Sequence, residues 1–419
     1  MAQQSGNKRI RIGVVGAGSF SKSFVPLFKA HPLVEKVYIT DLIPERSANF
    51  VEKFGVESYA SFEDMLKGDV NCIAIFAQRH LHGPLAIKAL QAGKHVYSAV
   101  PMADKVEEIE QIVSLAKQTG QIYMMGETGY YYPGALFCRK ELKKGSFGRF
   151  AYAESCYYHD MDHGFYGSFQ HSGGEQWRRV AGVPPMHYPT HSIGALVSSV
   201  GAHVQKVSCF GFRDDQHEDG VFGEGKNDWD NPFSNETALM YMSNGGICRA
   251  NEYRRVGIKK STSALTSFYG TKGSYEWAFD KHVFITTEDG KKMLYHNVDQ
   301  LLNSVNFEAH RQDADFLNQV ANGAYDHMSP SPIMNSARLP KEFEPIPAGH
   351  RTVHKFLVDD FVKSVDANKL PPNHAWAAAR YNVPGLVAHQ SAMRGGELLE
   401  VPDFGDAPAN WELLNPDGN

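Results

Sequence analysis

Two segments of the chain combine residue types that do chemistry at spacings that let them act together. The first, Val14-Val15-Gly16-Ala17-Gly18-Ser19-Phe20-Ser21, reads as a strand that passes through a glycine turn into a helix. In that setting Gly16 makes the tight turn and Gly18 lets the backbone approach a pyrophosphate at the positive end of the helix. The same glycine pair also closes ordinary βα turns, and the third fingerprint position holds Ser21 in place of Gly or Ala. The next strand adds weight because it ends in Asp41. A carboxylate there accepts hydrogen bonds from both ribose hydroxyls and repels a 2′-phosphate, so NAD is expected over NADP. Gly16, Gly18, Ser19, Phe20 and Asp41 are the expected contacts, and Arg46 reads as a solvated helix residue.

The second segment is Tyr188-Pro189-Thr190-His191-Ser192. Pro189 suits the first position of a helix, which makes Tyr188 the cap and puts His191 in the first turn. Residues three apart share a helix face, so the phenol and the imidazole can address one ligand. A neutral imidazole is the form that takes a proton from a hydroxyl. The competing reading of His191 is a buried ring bonded to a backbone carbonyl.

Further candidates follow from context. Glu127 stands after a strand at the carboxyl end of the sheet, where it could orient a hydroxyl, assist proton transfer or cap the next helix. His82 and Pro101, each shortly after a strand, read as cofactor lining. Tyr157-Tyr158-His159-Asp160-Met161-Asp162-His163 reads as a substrate-contacting loop, with Tyr158 among the proton handlers and His159 on the ligand. His159 with His163 could suggest a metal, but there is no second cluster at ligand spacing, so none is expected. Trp177 and Arg178 offer a stacking surface and donors, against core packing for Trp177. Tyr130-Tyr131-Tyr132 could line a cleft or sit in a core or interface.

These residues need a scaffold. Strands are predicted over Ile10 to Val15, Val37 to Thr40, Cys72 to Ala77, His95 to Ser98 and Ile122 to Met125, with helices over 20–30, 44–54, 62–66, 83–92 and 106–119. That alternation predicts an α/β fold with a doubly wound parallel sheet. After Glu127 a helix to Lys144 is followed by strands over 150–158, 204–212, 237–241, 247–253, 266–269, 274–279 and 283–287. Their β-branched and aromatic content and glycine-marked turns predict an open, mostly antiparallel sheet in an α+β domain. Helices are expected again over 354–365 and 374–392, and the stretch 289–349 gives no clear pattern. The expected division is residues 1–126 for the dinucleotide domain and 127–419 for the substrate domain. The charged run Asn251-Glu252-Tyr253-Arg254-Arg255 at a strand end is expected to reach a neighbouring subunit.

A chain of 419 residues exceeds one ordinary core, which agrees with two domains. With 42 basic against 47 acidic residues it has no global attraction for nucleic acid or anionic membranes. No run approaches the roughly 20 apolar residues of a membrane span, and the segment after Arg9 is too short and glycine-punctuated for a secretory core. A cytoplasmic protein is expected. Its five scattered cysteines read as reduced, mostly buried thiols, and Asn235-Glu236-Thr237 carries little weight as a glycosylation site.

The glycine turn, Gln78-Arg79-His80-Leu81-His82, the run Ala89-Leu90-Gln91-Ala92-Gly93-Lys94-His95-Val96 and Pro101 together resemble the Gfo/Idh/MocA oxidoreductases. That resemblance implies an N-terminal Rossmann domain and a C-terminal domain whose open sheet forms the substrate floor and often pairs into homo-oligomers. Most of that family carries Glu-Lys-Pro where this chain has Ala99-Val100-Pro101, so the usual lysine proton handler is replaced by Val100. The Val-Pro pair and the segment 188–192 resemble the NAD-dependent glycosidases of glycoside hydrolase family 109. In that branch the tyrosine and histidine face the substrate, and the likeness gives those roles to Tyr188 and His191. Gly349-His350 resembles a Gly-His-Gly-Gly segment, with Arg351 and Thr352 replacing two glycines, and places His350 on the substrate. The implied activity is redox cleavage of a glycoside: oxidation at ring carbon 3, elimination, water addition and re-reduction. The alternatives are a dehydrogenase that stops at a keto-sugar and a non-catalytic NAD-binding sensor.

Overall fold

The computed structural model describes residues 10–162, 166–257, 264–278, 281–288, 291–302, 331–346 and 350–415. The chain divides into two compact units. Unit 1 comprises residues 1–127, 335–379 and 404–419, and unit 2 comprises 128–334 and 380–403. The sequence reading placed one boundary, between 126 and 127. The structure also returns the chain to unit 1 after Met334, where the late helix His350–Ala367 packs against residues 10–15 and 25–30 and the tail bonds to Leu370 through Glu412 and Leu414.

Unit 1 is built on six parallel strands, β1 (Ile10–Val15), β2 (Val34–Thr40), β3 (Glu57–Ser58), β4 (Cys72–Ile75), β5 (His95–Ser98) and β6 (Tyr123–Met125), in the order β3-β2-β1-β4-β5-β6. Their apolar runs are buried on both faces, as a sheet covered by helices requires: Ile12, Val14, Ile39, Ile73, Ile75 and Val96 are inaccessible to solvent. The order reverses between β1 and β4, which makes the carboxyl ends of those strands the topological switch point.

The crossover helices are α1 (Val25–Ala30), α2 (Pro44–Phe54), α3 (Phe62–Lys67), α4 (His82–Gln91) and α5 (Val106–Thr119). In α5, Ile109, Ile112, Val113 and Ala116 form the buried stripe, and Gly120 ends the helix in the left-handed region at φ 70°. The helix predicted over 20–30 is instead a 3-10 turn, Ser21–Ser23, followed by α1. Two residues explain the break: the Ser21 hydroxyl donates back to the Gly18 carbonyl at 2.9 Å, and Pro26 sits in the first turn of α1, where its missing N–H costs nothing.

Unit 2 carries the helices α6 (Pro133–Lys144), α7 (Tyr166–Gly173), α8 (Trp177–Ala181), α9 (Thr190–Val200) and α10 (Asp299–Leu302). Two long helices then follow, α11 (His350–Ala367) in unit 1 and α12 (Ala375–Met393), in which the unit boundary falls.

The sheet of unit 2 has nine strands: β7 (Phe150–Tyr158), β8 (Val204–Arg213), β9 (Phe233–Met242), β10 (Ile247–Tyr253), β11 (Ala264–Gly270), β12 (Gly273–Ala278), β13 (Lys281–Glu288), β14 (Lys292–Asn297) and β15 (Leu399–Glu400). Every pairing is antiparallel except β7 with β10. β14 falls in the stretch without a readable pattern, because it is an edge strand with hardly any buried residue to impose alternation.

One face of this sheet lies under α9, with Ala153, Ser155, Ala250 and Glu252 buried there. The other leaves Phe210, Phe212, Leu239 and Tyr241 exposed. The five cysteines are buried free thiols. Among the described residues no helix is long and apolar enough to cross a membrane, and no cluster of His, Cys, Asp or Glu could hold a metal.

Candidate active site

In unit 1 the turn after β1 is fixed from two sides. The Gly16 N–H donates to the Thr40 carbonyl at 2.9 Å, and the Ala17 N–H donates to Asp41 Oδ2 at 2.7 Å. Gly16 adopts φ 99°, and a β-carbon there would lie 2.7 Å from the Phe76 carbonyl oxygen, so only glycine fits. Gly18 differs: a β-carbon on it would meet no atom within 4 Å. That open cradle beside a turn at the switch point suits the close backbone approach of a pyrophosphate, and Asp41 at the end of β2 suits a ribose diol. Ser19 and Phe20 are exposed on the same turn, the Phe20 ring packed edge-on against Phe76. The residues present fit a dinucleotide.

His82 and Pro101 also sit at this end of the sheet. His82 is 1 % exposed, and both of its ring nitrogens face backbone carbonyls, Nδ1 that of Pro101 at 2.8 Å and Nε2 that of Ala77 at 3.0 Å. Val100 is buried, and the Val100–Pro101 bond is cis. Glu127 is fully buried, with its backbone carbonyl accepting from Asn373 Nδ2 at 3.2 Å, also within unit 1.

Unit 2 gathers a ring of aromatic side chains around His191. The Tyr157 ring centroid lies 4.6 Å from that of His191, Tyr188 stands edge-on at 5.2 Å, and Tyr132 lies at 6.5 Å. The Thr128 hydroxyl is 3.4 Å from His191 Nδ1, and the Tyr157 hydroxyl pairs with His159 Nδ1 at 2.9 Å. Phenols, imidazoles and a hydroxyl thus converge at one place, where they can orient a polyol and exchange a proton with it.

Three local details differ from expectation. Pro189 is the residue before the helix rather than its first residue, so α9 starts at Thr190 and Tyr188 lies one step outside the cap. His191 still falls in the first turn. The second difference concerns β7, where successive side chains point to opposite faces. It is Tyr157 that reaches His191, while Tyr158 faces the outer side, stacked on Tyr253 with ring centroids 5.2 Å apart. Burial and the neighbouring Cys156 push the Tyr158 phenol well above its usual pKa. Third, Glu252 and Arg254 do not reach outward. They are 0 % and 2 % exposed and pair at 3.1 Å.

That buried pair and a second carboxylate hold the loop that carries Tyr188; from sequence alone the pair is expected at a subunit contact, and the second carboxylate is given no role. Glu252 Oε1 accepts from the Ser192 hydroxyl at 2.5 Å, and Arg254 donates to the Pro185 carbonyl at 3.3 Å while its guanidinium lies near the rings of Tyr157 and Tyr188. Glu236, in the middle of β9, accepts from the Met186 N–H at 2.8 Å and faces His389 Nδ1 at 2.8 Å. Gly385 lets α12 close on this loop, since a β-carbon there would lie 2.3 Å from the Met186 carbonyl oxygen. The only sequence signal for these roles is a carboxylate inside an otherwise apolar or β-branched strand.

The remaining candidates lie elsewhere or are not described. Trp177 packs against a satellite core of Met161, Phe169, Ala181, Val183, Val221 and Phe222, which is its core-packing reading. Exposed Arg178 lies over the Trp177 ring and donates to the Asp219 carbonyl at 2.9 Å. His163 lies outside the described residues. His350 is the first residue of α11, and its side chain also lies outside what is described.

Residues 10–127 match the family model described as the Gfo/Idh/MocA oxidoreductase family, NAD-binding Rossmann fold. A glycosyl hydrolase family 109 protein of Saccharopolyspora erythraea is 21 % identical over 98 % of this chain and 86 % of its own length. Levoglucosan dehydrogenase in complex with NADH superposes with a TM-score of 0.71 at 17 % identity, covering 94 % of this chain and all of that one. UDP-N-acetylglucosamine 3-dehydrogenase from Acidithiobacillus ferrooxidans gives 0.62 at 14 % identity, over 92 % and 98 % of the two chains. Residues 10–127 are thus the NAD-binding Rossmann domain of the Gfo/Idh/MocA oxidoreductase family, and NAD is the cofactor of this chain.

Proposed function

We propose that this chain cleaves a glycoside by transient oxidation at a sugar hydroxyl, expected at ring carbon 3. The observation that carries the reading is the meeting of Tyr188, His191 and Tyr157 in unit 2, and the likeness to a family 109 relative over 98 % of this chain supports it. Gly16, Gly18, Ser19, Phe20 and Asp41 would hold NAD, which would supply reversible hydride acceptance for the carbon-bound hydrogen.

The chain's own residues handle the protons. His191, with Thr128 at Nδ1, takes the hydroxyl proton as the ring carbon is oxidised, and Tyr188 hydrogen-bonds the developing carbonyl oxygen. The ketone acidifies the adjacent C–H, so that proton is lost to solvent as the glycosidic oxygen departs and takes one up to leave as the alcohol. Water adds to the resulting enone, and the proton held on the protein returns to the oxygen as the carbonyl is reduced. Atoms balance as glycoside plus water giving sugar plus alcohol, with no net use of NAD. Val100 supplies no proton, so the proton chemistry falls to His191 and Tyr188 of unit 2. His159, bonded to Tyr157, is placed to contact the sugar.

The test is incubation with a panel of aryl glycosides in D2O. Release of the phenol with deuterium entering the ring and no accumulation of NADH is expected. NADH formed in step with substrate, without deuterium uptake, would establish the keto-sugar dehydrogenase instead. The exposed Phe210, Phe212, Leu239 and Tyr241 favour homo-oligomers formed through the open sheet face, which sedimentation of the wild type against Phe210→Glu checks.

A further inference from the structure

The cofactor end of unit 1 contains a continuous series of close contacts that runs through one buried histidine. It starts at Gly16, pressed on the Phe76–Ala77 segment so closely that a β-carbon would lie 2.7 Å from the Phe76 oxygen and 3.0 Å from the Ala77 nitrogen. It continues from the Ala77 carbonyl to His82 Nε2 at 3.0 Å and from His82 Nδ1 to the Pro101 carbonyl at 2.8 Å. The turns after β1, β4 and β5 are therefore linked in sequence, and the last link is a side chain.

We propose that His82 is a positioning residue of the NAD site, a brace that holds the turns after β4 and β5 as one rigid edge without itself touching the cofactor. Sequence reading had it lining the cofactor, but its ring is 1 % exposed and both nitrogens face protein carbonyls. The brace acts on one half of the dinucleotide. Asp41 just after β2 takes the adenosine ribose and the glycine turn takes the pyrophosphate, so the nicotinamide half extends the other way, toward the carboxyl ends of β4 and β5. Those are the two ends that His82 ties together.

His82 itself belongs to the segment after β4, so a single bond from its Nδ1–H to the Pro101 carbonyl ties that segment to the turn after β5, while the unprotonated Nε2 only faces the Ala77 carbonyl. Burial pushes its pKa down, against the pull of the Pro101 and Ala77 carbonyls, so the ring is neutral and carries a single N–H. The shorter contact assigns that proton to Nδ1, donating to Pro101.

The experiment measures binding on the full chain without any sugar, so it is independent of the glycosidase reading. NAD+ and ADP-ribose, which lacks the nicotinamide, are titrated calorimetrically at pH 7 into wild type, His82→Phe and His82→Gln. His82→Phe, which keeps a ring but no donor, is expected to lose about tenfold in NAD+ affinity with ADP-ribose changed by less than about twofold. His82→Gln, whose amide can again donate to a carbonyl, is expected to recover most of the loss. Equal loss for both ligands, or none for NAD+, overturns the proposal. If His82→Phe does not fold, nitrogen NMR of the wild type decides: a proton on Nδ1 supports the brace, and a ring protonated at Nε2 alone overturns it.

Discussion

Around Gly16 the contacts are made by main-chain atoms: an N–H on Thr40, a carbonyl of Phe76 within touching distance, and one carboxylate, Asp41, that itself binds a backbone N–H. Around His191 they are ring on ring, and the loop that carries Tyr188 is held from beneath by side chains from strands 50 to 60 residues further on, Glu236 and Glu252. The first arrangement depends on which residues allow the backbone its shape. The second depends on which side chains the sheet brings together. A dinucleotide turn can thus be read from a short string, whereas a substrate site of this kind belongs to the assembled unit. The two should fail differently when mutated.

The largest expected effect lies at the centre of the second arrangement. His191→Ala should lower kcat on a cleaved glycoside by roughly 10² to 10⁴, the usual worth of a positioned acid–base group, while the NAD+ dissociation constant stays at the wild-type value. Steady-state kinetics and calorimetric titration check the pair. Undiminished turnover would remove His191 from the chemistry and leave the buried-ring reading in its place.

Beneath it, Arg254→Ala removes the guanidinium that pairs with the fully buried carboxylate of Glu252. Breaking a buried pair from one side costs about 3–5 kcal/mol, so the denaturation midpoint should fall strongly. The double change Arg254→Met with Glu252→Gln should restore much of that stability, because no uncompensated charge remains. In unit 1 an equally large loss is not expected from any single charge near the glycine turn, since backbone groups carry those contacts.

The adjacent tyrosines of β7 test how far the sheet's pleat decides function. Tyr157→Phe removes the hydroxyl bonded to His159 beside His191 and should reduce kcat/KM by about tenfold or more. Tyr158→Phe acts on the outer face and should change it by less than about twofold. A reversed result would mean that the strand register at the site is other than described.

That pair also shows where the sequence stops being informative. Tyr157 and Tyr158 have the same composition and neighbourhood, and β7 buries residues on both faces, so no alternation marks the inward tyrosine. Glu252 and Arg254 look like a charged surface run until β10 is seen beside β7 and under α9. By contrast β1, β5, α2, α5, β7 and β10 begin and end where local pattern puts them, because each is set by its own apolar spacing and its own flanking Gly or Pro. The position of Asp41, just after β2 and bonded to the turn after β1, follows from the same local pattern.

The smallest effects should come from the glycine turn itself, and they separate its two glycines. Alanine at Gly16 must take φ 99° and meet the Phe76 carbonyl, so it should destabilise unit 1 by more than about 1 kcal/mol even without cofactor. Gly18 has ordinary φ and open space around its α-carbon. Gly18→Ala should therefore leave apo stability unchanged, or raise it by about 0.4–1 kcal/mol through a stiffer unfolded chain. It should nonetheless weaken NAD+, because the new methyl group occupies the space that lets the backbone approach the pyrophosphate. Thermal melts of the apo protein paired with NAD+ titrations distinguish these outcomes. If Gly18→Ala bound NAD+ as well as wild type, the pyrophosphate would have to lie away from this residue, and the backbone-built half of the comparison would rest on Gly16 and Asp41 alone.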